Sequence, residues 1–175
     1  PNTGRVNVPD ERLEKLAKLA GSQKIIPTQL EFVDIAGLVK GASKGEGLGN
    51  QFLGHIRQVD AVLHVLRCFE DDDITHVEGS VDPLRDLTTI ETELLIADME
   101  SLEKRIPNLE KKTKGNDKEA IEVLALVKKI LPILEKGNLA RTYVPTDAEC
   151  SLYDQLQLLT SKPILYVCNV LENEA

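Results

Sequence analysis

The chain has no tryptophan, a single methionine and only 3% aromatic residues in 175. A free-standing nucleic-acid binder needs stacking faces and cationic area. With a net charge of −8 this chain offers neither overall, although an acidic balance leaves room for a local basic patch. No apolar run approaches the ~20 residues of a membrane span, and no charged-then-apolar leader opens the sequence. The expectation is a cytoplasmic protein with no membrane partner. Cys68, Cys150 and Cys168 are an odd set without C-x-x-C spacing, so neither a disulfide framework nor a zinc site is expected. The phosphate-cradling pattern Gly-x-x-x-x-Gly-Lys-Ser/Thr is also missing, which excludes a complete triphosphate cradle within these residues.

What the chain does have is 42% hydrophobic residues, enough to bury the core of one domain, with or without an insertion. It also has a conspicuous loop. Residues 31–54 run as an apolar strand that delivers Asp34 into a segment carrying Gly37, Gly41, Gly45, Gly47 and Gly49. A nucleoside triphosphate brings a magnesium ion and a terminal phosphoryl group, which call for an oxygen ligand and closely approaching backbone N–H donors. Asp34 suits the first task, holding magnesium through a water. Gly37 suits the second, because no Cβ keeps its amide from the γ-phosphate. By itself Asp-x-x-Gly reads equally as a strand-ending turn.

Pattern along the chain predicts an α/β protein. A strand is expected over 4–8 and a helix capped by Asp10 and stopped by Gly21; a second strand lies within 25–35, starting late because of Pro27. Residues 50–58 read as a short helix. Residues 61–66 and 163–168 are nearly continuous apolar runs, the mark of strands buried on both faces of a parallel sheet, which indicates a doubly wound fold whose ligands sit beyond the carboxyl ends of the strands.

Between those two strands Asp82-Pro83 announces an insertion. Leu95, Met99, Leu102, Ile106 and Leu109 recur at 4-3-4-3 spacing; Val123, Val127, Ile130 and Leu134 recur at 4-3-4 after a polar turn at 113–117. An antiparallel coiled-coil hairpin with facing seams is the simplest construction, with Pro132 kinking or ending its second arm; two helices packed on the sheet as ordinary core satisfy the same pattern. Residues 85–146 carry 11 Lys and Arg against 11 Asp and Glu, so the whole negative balance lies in the flanks. The division expected is therefore 1–84 with 147–175 as a partial nucleotide-binding domain and 85–146 as the inserted helical domain. One further amphipathic helix is expected over 147–159.

The stretch 31–54 resembles the second switch of the Obg-related P-loop NTPases, and within them the YchF or Obg-like ATPase family. The opening Pro1-Asn2-Thr3-Gly4, residues 67–77 and residues 163–172 are similar to that family as well, so the resemblance covers the whole chain. It implies a partial doubly wound P-loop NTPase (G-domain) sheet with an inserted helical hairpin. It also implies that the chain is a fragment, lacking the phosphate loop upstream and a C-terminal TGS domain, and inactive alone.

The resemblance further implies roles for residues. Asn169-Val170-Leu171-Glu172 stands where guanine-specific relatives carry Asn-Lys-x-Asp, whose aspartate accepts hydrogen bonds that adenine cannot supply. An unpaired buried acceptor costs ~1–3 kcal/mol, and Glu172, longer by a methylene, does not reproduce that geometry. The altered motif implies ATP in preference to GTP, with Asn169 ordering the loop, Val170 presenting apolar surface and Glu172 facing the amine side. Leu38 occupies the place of the water-orienting glutamine and can neither donate nor accept; resemblance moves that catalytic role to His76, which reads otherwise as a solvent-exposed loop histidine. Lys40 and Lys44 read as solvated charges or phosphate contacts. Lys104, Arg105, Lys111, Lys112, Lys114 and Lys118 gather toward the hairpin tip, where they are either solvated or dock on the ribosome or ribosomal RNA. Two rival functions remain at this point: a non-enzymatic docking module, and an Obg-type GTPase.

Overall fold

The computed structural model describes residues 2–35, 48–71 and 80–174. Gly37, Leu38, Lys40, Gly41, Lys44, Gly45, Gly47 and His76 lie outside them. The chain divides into two compact units, Pro1–Gly37 and Leu38–Ala175.

In the first unit β1 (Asn2–Asn7) and β2 (Gln29–Asp34) pair antiparallel, with Asn2 opposite Asp34 and Asn7 opposite Gln29. Side chains enforce that register. Arg5 Nε donates to its cross-strand partner Glu31 at 2.7 Å, and Gln29 Nε2 donates to Asn7 Oδ1 at 3.2 Å. The strand β2 begins two residues beyond Pro27, as a residue without an N–H requires. Between the strands runs α1 (Glu11–Ala20). Asp10 caps it by accepting from the Arg12 amide at 3.0 Å, and the Arg12 guanidinium beside it holds the Asp10 carboxyl below its ordinary value. Gly21 ends the helix at φ +64°, a left-handed conformation that spares glycine the Cβ clash.

The second unit contains β3 (Val62–Arg67) and β4 (Ile164–Asn169), paired parallel with Leu63 opposite Leu165 and Arg67 opposite Asn169. Parallel neighbours need a long crossover, and the 96 intervening residues supply it as a helical hairpin: α3 (Pro83–Thr113) and α4 (Lys118–Glu135). The helix α2 (Leu48–Gln58) precedes β3. The expected burial of β3 and β4 on both faces does not hold among the described residues. Val62, His64 and Leu66 are covered, whereas Leu63, Val65 and Leu165 on the other face are exposed. Within this unit α3 lies against β3, and β4 keeps Tyr166 and Cys168 exposed as well.

Local capping sets the hairpin. Asp82 accepts from the Arg85 amide at 3.0 Å with Pro83 in the first turn; Asp117 accepts from the Ala120 amide at 3.1 Å to start α4, and Asn116 turns the tip at φ +59°. Pro132 neither ends nor borders the second arm: α4 continues through it to Glu135. Pro132 and Lys128, whose carbonyl loses its i+4 donor, both lie on the solvent side. Gly137 at φ +80° follows the end of the helix instead.

The seam is as expected at Leu102, Val127, Ile130 and Leu134, all buried. It widens toward the root. With 31 residues against 18, α3 overshoots α4 by about 20 Å, and there Leu94, Ala97 and Asp98 are buried rather than Leu95. One core joins Leu102, Leu126, Val127, Ile130 and Leu134 to Ala140, Leu156 and Leu158. The hairpin root is thus packed against the segment that follows it.

That segment departs from the expected 147–159 helix. α5 covers only Cys150–Leu156, because Glu149 folds back to accept from the Thr146 amide and hydroxyl (3.0 and 2.9 Å), and Gln157 leaves the helix at φ +51°. The next residues, Leu158, Leu159 and Thr160, are buried by tertiary contact.

Candidate functional site

The residues assigned to phosphate and base stand at strand ends. Asp34 is the last residue of β2 and exposed, and among the described residues no side chain pairs with it. Asn169 is the last residue of β4; its carbonyl accepts from the Cys68 amide at 2.8 Å, which ties the exits of β3 and β4 together. Val170 is half-buried, and Glu172 opens a 3-10 turn, Glu172–Glu174, with its side chain exposed. Asn169, Val170 and Glu172 therefore share one corner beyond the carboxyl ends of two parallel strands, where open α/β sheets place their ligands. Gly37 and His76 lie outside the described residues.

A hard cation such as magnesium takes one or two carboxylates and completes its shell with water and substrate phosphate oxygens. Among the described residues no group of three or more His, Cys, Asp or Glu side chains forms a metal cage. The exposed, unpaired carboxylate of Asp34 fits the simpler arrangement.

The exit of β3 contains a feature the sequence did not suggest. Arg67 lies over the Phe69 ring at 4.8 Å while its Nε donates to the Phe69 carbonyl at 3.0 Å and Nη2 to the Asp71 carbonyl at 3.2 Å. One guanidinium thereby folds residues 67–71 into a rigid corner. An arginine at the end of an apolar strand, two residues before an aromatic, is the signal that could have exposed it.

Two buried or half-buried networks were also missed. Asp98, fully buried in α3, accepts from the Leu159 amide (2.8 Å), the Thr160 amide (2.8 Å) and the Thr160 hydroxyl (2.7 Å), and the same hydroxyl oxygen accepts from the Ala140 amide at 3.0 Å. Burial pushes the Asp98 carboxyl above its ordinary value against the pull of those three donors and the charge of Arg57. An acid spaced i+4 from Leu94 and i−4 from Leu102, on the buried stripe of an amphipathic helix, was its sequence signal. In the second network Glu91 of α3 accepts from Arg141 and, at 2.7 Å, from the Tyr166 hydroxyl of β4, while Arg141 Nη2 donates to that hydroxyl at 3.1 Å. The His64 ring lies 6.0 Å from Tyr166, and burial lowers its pKa against the opposing charge of Glu91.

The hairpin cations separate into two groups. Arg105 Nη2 donates to the Leu156 carbonyl at 3.1 Å, so it fastens the root instead of joining the tip; Lys104 pairs with Glu100 at 3.3 Å. Lys111, Lys112, Lys114 and Lys118 are exposed around the 114–117 turn. Among the described residues no helix is long and apolar enough to cross a membrane.

The family described as 50S ribosome-binding GTPase matches residues 17–170. The ribosome-binding ATPase YchF of Bacillus subtilis is 55% identical over 174 residues, and that of Haemophilus influenzae 52% over 173; each alignment takes in 99% of this chain and 48% of the relative. The chain thus spans about half the length of the curated relatives it matches. A solved structure, the YchF GTPase of Schizosaccharomyces pombe, superposes with a TM-score of 0.79 at 42% identity, over 99% of this chain and 48% of that one. The chain belongs to the 50S ribosome-binding GTPase family, in its YchF branch, and has that family's G-domain fold with a long helical hairpin.

Proposed function

We propose that this chain is the switch-and-hairpin part of a cytoplasmic, magnesium-dependent NTPase that binds and hydrolyses ATP in preference to GTP and docks on the ribosome. The observation that carries the nucleotide preference is Asn169-Val170-Leu171-Glu172 at the carboxyl end of β4. The printed names differ on the point: the bacterial relatives are called ATPases and the fission-yeast structure a GTPase. The ATP reading is therefore supported by the residues of this corner and not by the relatives' names. Glu172 cannot take the short aspartate's place against guanine's two donors, and Val170 offers apolar surface where a lysine stem would lie.

Asp34 would hold magnesium through water, and Gly37 would present its amide to the γ-phosphate. Bound magnesium would supply neutralisation of the charge that develops on the transferred phosphoryl group. His76, neutral near its ordinary pKa of ~6.5, would orient the attacking water in place of Leu38. Departure of the γ-phosphate would release the glycine-rich switch, an order–disorder change of the kind that nucleotide switches use. The test is competition of ATP and GTP for the full-length protein with magnesium present: Glu172→Asp or Asn169→Ala should abolish an ATP preference.

The ribosome reading rests on Lys111, Lys112, Lys114 and Lys118 at the hairpin tip, exposed cations that fit RNA phosphates. Division of the chain into 1–84 with 147–175 and 85–146 belongs to the same proposal. The core that joins Leu126 and Ile130 to Ala140, Leu156 and Leu158 makes deletion of 85–146 a poor test, because it would strip the cover from Leu156 and Leu158. Neutralising the four tip lysines separates docking from folding: lost ribosome binding with intact ATP hydrolysis supports the reading, and unchanged binding rejects the tip as the docking surface.

A further inference from the structure

Residues 156–162 are held from two sides. On one side is the end of α2: Lys162 Nζ donates to the Val59 carbonyl at 2.6 Å, just beyond the last helical residue, and Arg57 Nη1 donates to the Gln157 carbonyl at 3.4 Å. On the other is α3, where Asp98 accepts from the Leu159 and Thr160 amides and the Thr160 hydroxyl, and Arg105 donates to the Leu156 carbonyl. Only Ser161 separates Lys162 from Thr160, which Asp98 binds. Leu158, Leu159 and Thr160 are buried, so this short segment has no slack with which to absorb a displacement.

We infer that Lys162 is a positioning residue that fixes the end of α2 to the segment Asp98 fastens to α3, so that movement of α2 is delivered to the hairpin root. The inference rests on the nucleotide-switch reading above, in which α2 is the helix entered directly from the glycine-rich switch. The chemistry favours a lysine here. Its ammonium sits on a carbonyl at the negative end of a helix, and its partly buried stem spans from the start of β4 to the end of α2. A surface charge of the Lys104 type has no second anchor of this sort.

The test uses hydrogen exchange with Lys162→Met, which keeps the stem and removes the ammonium, and Lys162→Arg, which restores a cation. In the present chain Lys162→Met should speed exchange on the order of tenfold both at 56–60 and at 94–102 of α3, with Lys162→Arg recovering most of the protection. Acceleration confined to 56–60 would show a local helix cap and overturn the joint. In the full-length protein, exchange at 94–102 should differ between the complexes with a non-hydrolysable ATP analogue and with ADP. Lys162→Met should erase that difference while leaving ATP affinity within about twofold. A difference that survives in Lys162→Met, or one absent from a wild type that binds ATP, overturns the joint and leaves the ATPase reading standing. If the wild type binds no ATP, the nucleotide reading fails, and the two-region result in the present chain still decides the joint.

Discussion

Asp98→Ala removes the carboxylate that accepts from the Leu159 amide, the Thr160 amide and the Thr160 hydroxyl, at a position with no solvent exposure. The hydroxyl can turn elsewhere, and its oxygen still accepts from the Ala140 amide at 3.0 Å. The two backbone N–H groups cannot turn. Each buried donor left without a partner costs ~1–3 kcal/mol, so the substitution should destabilise by about 3–5 kcal/mol, in the range reserved for broken buried networks. For a chain of this size that corresponds to a fall in Tm of roughly 8–15 °C. Asp98→Asn, of the same shape, keeps one carbonyl acceptor and turns an amide N–H₂ toward the other donor, so it should lose about half as much. The sign of the charge effect is the reverse of the usual carboxylate. With a folded pKa raised by burial, the Asp98 charge contribution is most favourable below the unfolded value of ~3.9 and declines as pH rises through the folded one; Asp98→Asn removes that decline. Urea unfolding followed by circular dichroism measures all three proteins, with exposed Glu122→Ala as the control expected within ~0.5 kcal/mol of wild type. A loss below about 1 kcal/mol for Asp98→Ala would refute the claim that this carboxylate fastens 159–160 to α3.

Three further outcomes are expected. Lys129, with the Thr146 amide and hydroxyl, holds the Glu149 carboxyl down to about 2, so its contribution is present above the unfolded carboxylate value and is lost as pH falls from there toward 2. The near-ultraviolet signal of the Tyr143–Tyr153 pair should report that loss, and Glu149→Gln should flatten it. Burial pushes Tyr153 up to about 12, so its neutral, Ala140-bonded form stabilises the fold below the ordinary tyrosine value and loses that contribution as pH rises toward 12; Tyr153→Phe should remove this alkaline dependence and cost ~1 kcal/mol at neutral pH. Each tip lysine replaced by alanine should reduce the salt slope of ribosome binding by about one, measured by sedimentation at several salt concentrations, with no change in Tm beyond ~1 °C.

The features legible in the sequence were those set locally. Asp10 with Gly21 and Asp82 with Pro83 mark helix ends through contacts within a few residues, and both sites behave as their residue types require. Val127, Ile130 and Leu134 were legible because one partner helix sets their spacing. The misses arose where tertiary contact sets the outcome. Gln157 adopts a left-handed turn without being glycine: Arg57 donates to its own carbonyl while Arg105 and Asp98 hold Leu156 and Leu159 on its flanks, none of the three near it in sequence. Pro132 reads as kinking or ending the second arm, and spacing does not reveal that it lies on the solvent side, where the helix runs on to Glu135. Asn169, Val170 and Glu172 were singled out through family resemblance, and their place beyond the strand ends became visible only with β3 and β4 paired. Lys162, Glu91 and Arg141 have no motif, since their partners lie 25 to 103 residues away.

We propose that the corner at the end of β4 selects adenine. Competition between ATP and GTP for the full-length protein, with magnesium, tests it most directly. A clear preference for ATP that disappears in Glu172→Asp is expected; equal affinity, or a preference for GTP in the wild type, would overturn adenine selection and leave an ordinary GTPase of this family.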